Sequence, residues 1–173
     1  MTVEYPDDTA GEFPGPPRTV IDDEGRQIRY REGRPDDGEA LVEMYLDFHP
    51  EDRAQGIPPG KEPDIREWLE HVTADECCTV VAIQAGHVIG HGMLVPDQEG
   101  NFELALFVLR AYQGAGIGTE LLRTLLGLGR ATGVERVWLS VERWNDPAIA
   151  VYRKVGFERV GKASFELEMA LRL

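Results

Sequence analysis

Cysteine, lysine and histidine are all scarce in this chain, and it has no long apolar run. Each scarcity removes a class of explanation. Cys77 and Cys78 are the only cysteines, and they are adjacent. A bridge between neighbours is strained, and two thiols alone cannot close a zinc site. They read as small buried residues at a strand start. His49, His71, His87 and His91 are scattered without ligand spacing, so no metal is expected. His87 reads as a solvated turn residue and His91 as a packed strand residue. No stretch approaches the roughly 20 apolar residues of a membrane span. The N-terminus has neither the basic region nor the apolar core of a secretory signal. A cytoplasmic location with no membrane contact is the expectation.

Lys61, Lys154 and Lys162 are the only lysines among 18 basic residues, which face 31 acids for a net charge of −13. That balance repels nucleic-acid phosphates and attracts a basic partner. Many acids with almost no lysine fits a halophilic, high-salt cytoplasm, where screening is strong. It fits GC-rich codon usage equally well. Oligomeric state is not legible, and a homodimer is admitted.

At 173 residues the chain is long enough for one domain with a real core. Residues 1–17, rich in Pro, Gly and acids, read as a flexible arm, and residues 18–173 as a single domain. Arg18 to Ile21 and Arg26 to Arg31 flank a turn signal and suggest a hairpin. A helix through Ala40, Leu41, Met44, Tyr45 and Phe48 follows, with Asp36 or Asp37 as its cap. His49 to Pro63 holds four prolines and two glycines and reads as a functional loop. A second helix carries Ile65, Trp68 and Leu69. Thr79 to Ile83, Val88 to Val95, Phe102 to Val108 and Val137 to Val141 read as strands, and Asp146 to Val155 as a helix. Phe157 to Val160 and Phe165 to Leu171 form a closing hairpin. Trp68, Trp138 and Trp144 read as core or cleft wall.

The stretch from Phe102 to Thr132 organises the rest. FELALFV looks like a buried strand. Ile117, Leu121, Leu122, Leu125, Leu126 and Leu128 then recur at helical spacing. Between them lies Gln113-Gly114-Ala115-Gly116-Ile117-Gly118. A helix start carries unpaired N–H groups and the positive end of the dipole, and glycines let an anion approach them. The stretch is therefore a candidate diphosphate cradle. It is not a Walker loop, because Thr119 stands where Lys is needed. The dinucleotide fingerprint fails by register. The pattern that fits is Q/R-x-x-G-x-G/A, through Gln113, Gly116 and Gly118.

This loop resembles the acetyl-CoA pyrophosphate loop of the GNAT superfamily of N-acetyltransferases. Asn145, Ala148, Tyr152 and Gly156-Phe157 match the superfamily's second signature, N-x-x-A-x-x-x-Y-x-x-x-G-F. The element order from Arg26 onward is similar too. The resemblance implies an α/β fold, a mixed, mainly antiparallel twisted sheet flanked by helices and splayed between the Phe102 and Val137 strands. It implies acetyl-CoA as co-substrate. The backbone of Leu106, Phe107 and Val108 would hold the pantetheine arm. Gln113, Gly114, Ala115, Gly116, Ile117, Gly118 and Thr119 would hold the pyrophosphate, and Asn145 would contact the cofactor arm. Tyr152 would protonate the leaving thiolate.

Tyr5-Pro6 or Phe13-Pro14, Asp23-Glu24-Gly25-Arg26 and Arg34-Pro35-Asp36-Asp37 resemble the entry into prokaryotic protein-lysine acetyltransferases. There, a glutamate ten residues before the loop is the general base, which falls on Glu103 here. An acid inside FELALFV is costly unless it faces a cleft or partner, and desolvation would make it a better base. Glu142 and a water chain are alternatives. Ribosomal-protein N-terminal acetyltransferases keep a glutamate where Ser140 stands. A protein lysine is accordingly the first acceptor, with a small amine (amino acid, polyamine or antibiotic) or a non-catalytic acyl-CoA sensor as alternatives.

Overall fold

Apolar alternation sets the outer strands, and near-continuous apolar runs set the inner ones, as burial on one or both faces requires. The computed structural model describes residues 3–54, 56–161 and 166–173. Its strands are β1 (Arg18–Ile21), β2 (Gln27–Glu32), β3 (Cys78–Gln84), β4 (His87–Pro96), β5 (Phe102–Val108), β6 (Arg136–Glu142), β7 (Glu158–Val160) and β8 (Glu166–Arg172). They form one sheet in the order β1-β2-β3-β4-β5-β6-β8-β7. Only β5 and β6 run parallel; the other neighbours are antiparallel. Helices α1 (Gly38–Leu46) and α2 (Glu62–Val72) cover one face. Helices α3 (Ile117–Ala131) and α4 (Asp146–Val155) cover the other. The mixed, mainly antiparallel sheet expected from the sequence is present. Met1, Thr2 and Phe165, the expected start of the last strand, lie outside the described residues.

The core has two halves. Ile117, Leu121, Leu122, Leu125 and Leu126 of α3 are almost fully buried against Val80, Ile89, Val137 and Met169. Tyr45, Ile65 and Leu69 pack against Val81 and Met93 on the opposite face. His91 is buried in this second half, as expected. Its Nδ1 lies 2.7 Å from the Tyr45 hydroxyl. Burial pushes its pKa down to about 3.

Four sequence expectations are corrected. β5 is not a buried strand: only Leu104 is fully covered, because β6 leaves its side. Cys77 and Cys78 are only partly covered. Asp37 precedes α1 without capping it through its side chain. Its carboxylate instead accepts from Arg31 at 2.6 and 2.9 Å and from the Arg34 N–H at 2.7 Å. Trp144 is neither core nor covered wall, since it is 70% exposed.

Residues 3–17 contain no helix or strand, yet they lie against the domain. The Ala10 N–H donates to the Arg172 carbonyl at 2.7 Å, and Arg172 Nε donates to the Pro6 carbonyl at 2.9 Å. The Arg130 guanidinium donates to the Ala10 carbonyl and sits over the Phe13 ring. Gly127, inside α3, lets the arm through: a Cβ there would meet the Pro14 carbonyl oxygen at 2.5 Å. Replacing an interior helix Gly by Ala ordinarily stabilises by about 1 kcal/mol. Gly127→Ala is expected to do the opposite, by roughly 1–3 kcal/mol, through overpacking against backbone. A thermal melt with the usual stabilising sign would show that the arm does not dock there.

Candidate active site

A parallel strand pair gives up hydrogen bonds wherever its two strands diverge. β5 and β6 pair only at Phe102↔Val137 and Glu103↔Trp138. β4 and β5 pair along the whole of β5, from Phe102 to Val108. Beyond Glu103, the β6-facing edge of β5 is therefore open. An open strand edge can take up an extended, amide-bearing chain as an extra strand. Leu106 and Val108 face α3, while Phe107 packs in the opposite half among Tyr45, Phe48 and Trp68. These contacts fix the strand and leave its β6-facing backbone edge unpaired with β6 beyond Glu103.

The glycine loop stands at the open end. After the turn Arg110–Tyr112, Ala115 and Ile117 send their side chains into the core. That anchors the loop and leaves Gly114 and Gly116 at the surface. Gly116 precedes α3 with φ +86°, which favours glycine. A Cβ at Gly114 or Gly118 would meet nothing within 4 Å. Space and the first N–H groups of a 15-residue helix thus coincide. One group opposes an anion. Asp23, in the β1–β2 turn, donates its N–H to the Ala115 carbonyl at 3.0 Å, and its Oδ2 lies 3.4 Å from where a Gly116 Cβ would be. Gln113 points away from the loop mouth, with Nε2 on the Val108 carbonyl at 3.0 Å and on Asp52 Oδ2 at 3.3 Å. Thr119 lies half-buried in the first turn of α3.

Glu103 stands at the paired end. Alternation along β5 puts it on the α1–α2 face with Ala105 and Phe107. It remains open to solvent and makes no hydrogen bond or ion pair with a described residue. Although the side chain stays open to solvent, partial desolvation of its carboxyl, then Asp97 and Glu166, raise its pKa above the ordinary value. Asp97 is itself held by Trp138 Nε1 at 2.9 Å. By the same alternation Trp138, Ser140 and Glu142 share Glu103's face, with Glu168 opposite Ser140. This strip of sheet is carboxylate-rich.

Tyr152 lies on α4 with its ring edge-on to Phe157 at 5.8 Å. Its pKa is pushed up to about 12 by burial, not left near the ordinary phenol value. Asn145 has a structural task, its carboxamide oxygen accepting from the Ala148 N–H at 3.3 Å to cap α4. Asp23 and Asp52 were not legible as neighbours of the glycine loop, nor Arg110 as the partner of Asp52, because these contacts span long sequence separations. Among the described residues, no group of three or more side chains has metal-ligating geometry, and no helix is long and apolar enough to cross a membrane.

A family model described as the acetyltransferase (GNAT) family matches residues 19–157. Over 51 residues the chain is 59% identical to the N-alpha-acetyltransferase RimI of Mycobacterium tuberculosis, a match covering 30% of each chain. It is 26% identical over 151 residues to an N-alpha-acetyltransferase of Sulfurisphaera tokodaii, covering 79% of this chain and 83% of that one. The crystal structure of the GNAT domain of S. lividans PAT superposes with a TM-score of 0.78 at 20% identity, covering 91% of this chain and 97% of that one. That likeness is one of fold.

The cradle has a test that separates ligand from stability. Gly118→Asp places a carboxylate in open space at the start of α3, where acids favour a helix. The melting temperature should hold or rise, while calorimetric affinity for coenzyme A falls at least about tenfold, roughly 1.4 kcal/mol. Unchanged affinity in the folded variant would place the diphosphate elsewhere.

Proposed function

The chain belongs to the acetyltransferase (GNAT) family, and on that footing we propose that it moves an acetyl group from acetyl-CoA directly to a protein amine, a lysine side chain first. The observation that carries this reading is the parting of β5 and β6 beyond Glu103, with the glycine loop at one end and Glu103 at the other. The open β5 edge from Leu104 to Val108 suits the pantetheine amides, and the N–H groups from Ile117 to Thr119 suit the diphosphate. Acetyl-CoA supplies an activated thioester when bound. Glu103 takes the ammonium proton, so that the amine nitrogen carries a lone pair to the thioester carbon. Tyr152 returns a proton to the departing sulfur. One C–N bond forms and one C–S bond breaks; the second proton shed by the nitrogen restores the Tyr152 phenol through solvent, and Glu103 releases the first to water.

Two features favour a cationic acceptor. Glu103, Glu142, Glu168 and Asp97 line or flank the same stretch of sheet, and the chain as a whole is acidic. A second reading, the α-amine of a protein N-terminus, is favoured by the two N-alpha-acetyltransferase relatives. Against it stands Ser140, which offers no second carboxylate at that position. Amine basicity distinguishes the two, since a lysine titrates near 10.4 and an α-amine near 7.7–8.0.

Glu103→Gln should lose most activity at pH 7. On an N-blocked peptide carrying one lysine, activity should return as pH approaches about 10; on a lysine-free peptide with a free N-terminus, by about pH 8. Whichever peptide turns over identifies the amine, and profiles parallel to wild type would move the base to Glu142 or a water chain. The raised Glu103 pKa means that the fold disfavours its ionised form. That cost applies above the ordinary carboxyl range and vanishes below it. Glu103→Gln should therefore leave the pH 7 melting temperature unchanged or higher.

Tyr152→Phe should lower kcat by roughly ten- to ten-thousandfold, the range of general acid catalysis, with acetyl-CoA affinity unchanged. Equal losses in binding and rate would make Tyr152 a packing residue.

A further inference from the structure

Gln113 opens the glycine-loop pattern, yet its side chain has nothing left to give a phosphate. A carboxamide nitrogen has two donors. One goes to the Val108 carbonyl at 3.0 Å and the other to Asp52 Oδ2 at 3.3 Å. Asp52 belongs to the short turn Pro50–Asp52 in the loop between α1 and α2. The same carboxylate takes a two-point grip from Arg110, at 2.8 Å from Nη2 and 3.1 Å from Nε. Arg110 lies in the turn that feeds the glycine loop. Glu51 adds a longer contact to Arg110 at 3.5 Å. The Asp52 carboxylate is only 19% exposed, and its pKa lies below the ordinary range, chiefly through Arg110.

One carboxylate therefore joins the α1–α2 loop, the turn after β5, the last carbonyl of β5 and the first residue of the glycine loop. An Arg–carboxylate fork fixes geometry more than it adds stability when the arginine is half-exposed. We propose that Asp52 is a positioning residue that makes the α1–α2 loop and the glycine loop move as one body. A diphosphate that pins the glycine loop then also orders residues 47–54 through the Asp52 contacts. This rests on the acetyl-CoA reading above. It assigns Gln113 to holding the two loops together, not to contact with phosphate. Because linkage is reciprocal, anything that holds residues 47–54 in this arrangement tightens acetyl-CoA binding by the same factor.

The test is amide hydrogen exchange with coenzyme A as the probe, alongside calorimetry. In the wild type, coenzyme A should slow exchange in residues 47–54 as well as in residues 114–119. In Asp52→Ala, coenzyme A should bind within roughly threefold of wild-type affinity, a small change on the affinity scale. Its protection of residues 114–119 should persist, while the protection of residues 47–54 disappears. A merely structural role would instead give faster exchange in 47–54 with the coenzyme-dependent difference retained, and that result overturns the proposal. So does wild-type binding without any change in 47–54. Should Asp52→Ala fail to fold, Arg110→Ala removes the same fork from the other side and is judged by the same readout. Failure of coenzyme A to bind the wild type in calorimetry would overturn the acetyl-CoA reading itself, and is distinguishable because no exchange change appears anywhere.

Discussion

A parallel pair of strands needs a crossover that brings the chain back to the same end of the sheet, and α3 makes that crossover between β5 and β6. The helix is held under the sheet by a nearly continuous apolar face from Ile117 to Leu128. Its N-terminus must consequently lie just beyond the last residue of β5. With pairing reduced to the Phe102 and Glu103 positions, the strands are joined at one end and free at the other. That geometry places an unpaired backbone edge, a helix N-terminus and a carboxylate along a single line. Ligands in sheets of this kind settle outside strand carboxyl ends, and the glycine loop marks that place here.

The charges divide along the same line. Partial desolvation of its carboxyl, then Asp97 and Glu166, raise the pKa of Glu103, the direction the proposed base role requires. At the loop end, Asp23 brings a negative charge to the cradle, so helix N–H groups and dipole must outweigh it for an anion to bind. Asp52, by contrast, is neutralised by Arg110. An acidic chain thus leaves the Glu103 carboxylate without an arginine among the described residues and ties that of Asp52 into a fork. The difference lies in whether an arginine stands within reach.

The outer layers serve the same arrangement. Arg18 joins β1 to α3 through Glu120 at 2.9 Å and Thr124 at 3.0 Å, and Arg26 stacks over Tyr112 at 4.6 Å beside the glycine loop. The N-terminal segment lies along β8 and α3 through Arg172 and Arg130. With so little lysine available, arginine supplies these ties, and its planar fork suits carboxylates and carbonyls held at fixed angles.

Local chemistry was legible in the sequence where it is periodic or punctuated. Leucine spacing gave α3 and the glycines gave its start, each because a backbone constraint acts within a few residues. Glu103 was legible as an anomaly, an acid in an apolar strand. The coverage of β5 was not, because burial depends on whether β6, more than 30 residues away, stays beside it. Nor was Asp37 legible as an ion-pair residue in place of a cap, since Arg31 competes for its carboxylate. Asp52, Arg110 and Gln113 belong to the same category. Contacts across 58 and 61 residues carry no local pattern. The sequence by itself determined the elements and the chemical types in the cleft. The tertiary structure decided which carboxylate stays free, which becomes a fastener and where the sheet opens, because those outcomes depend on neighbours that only folding brings within hydrogen-bonding distance.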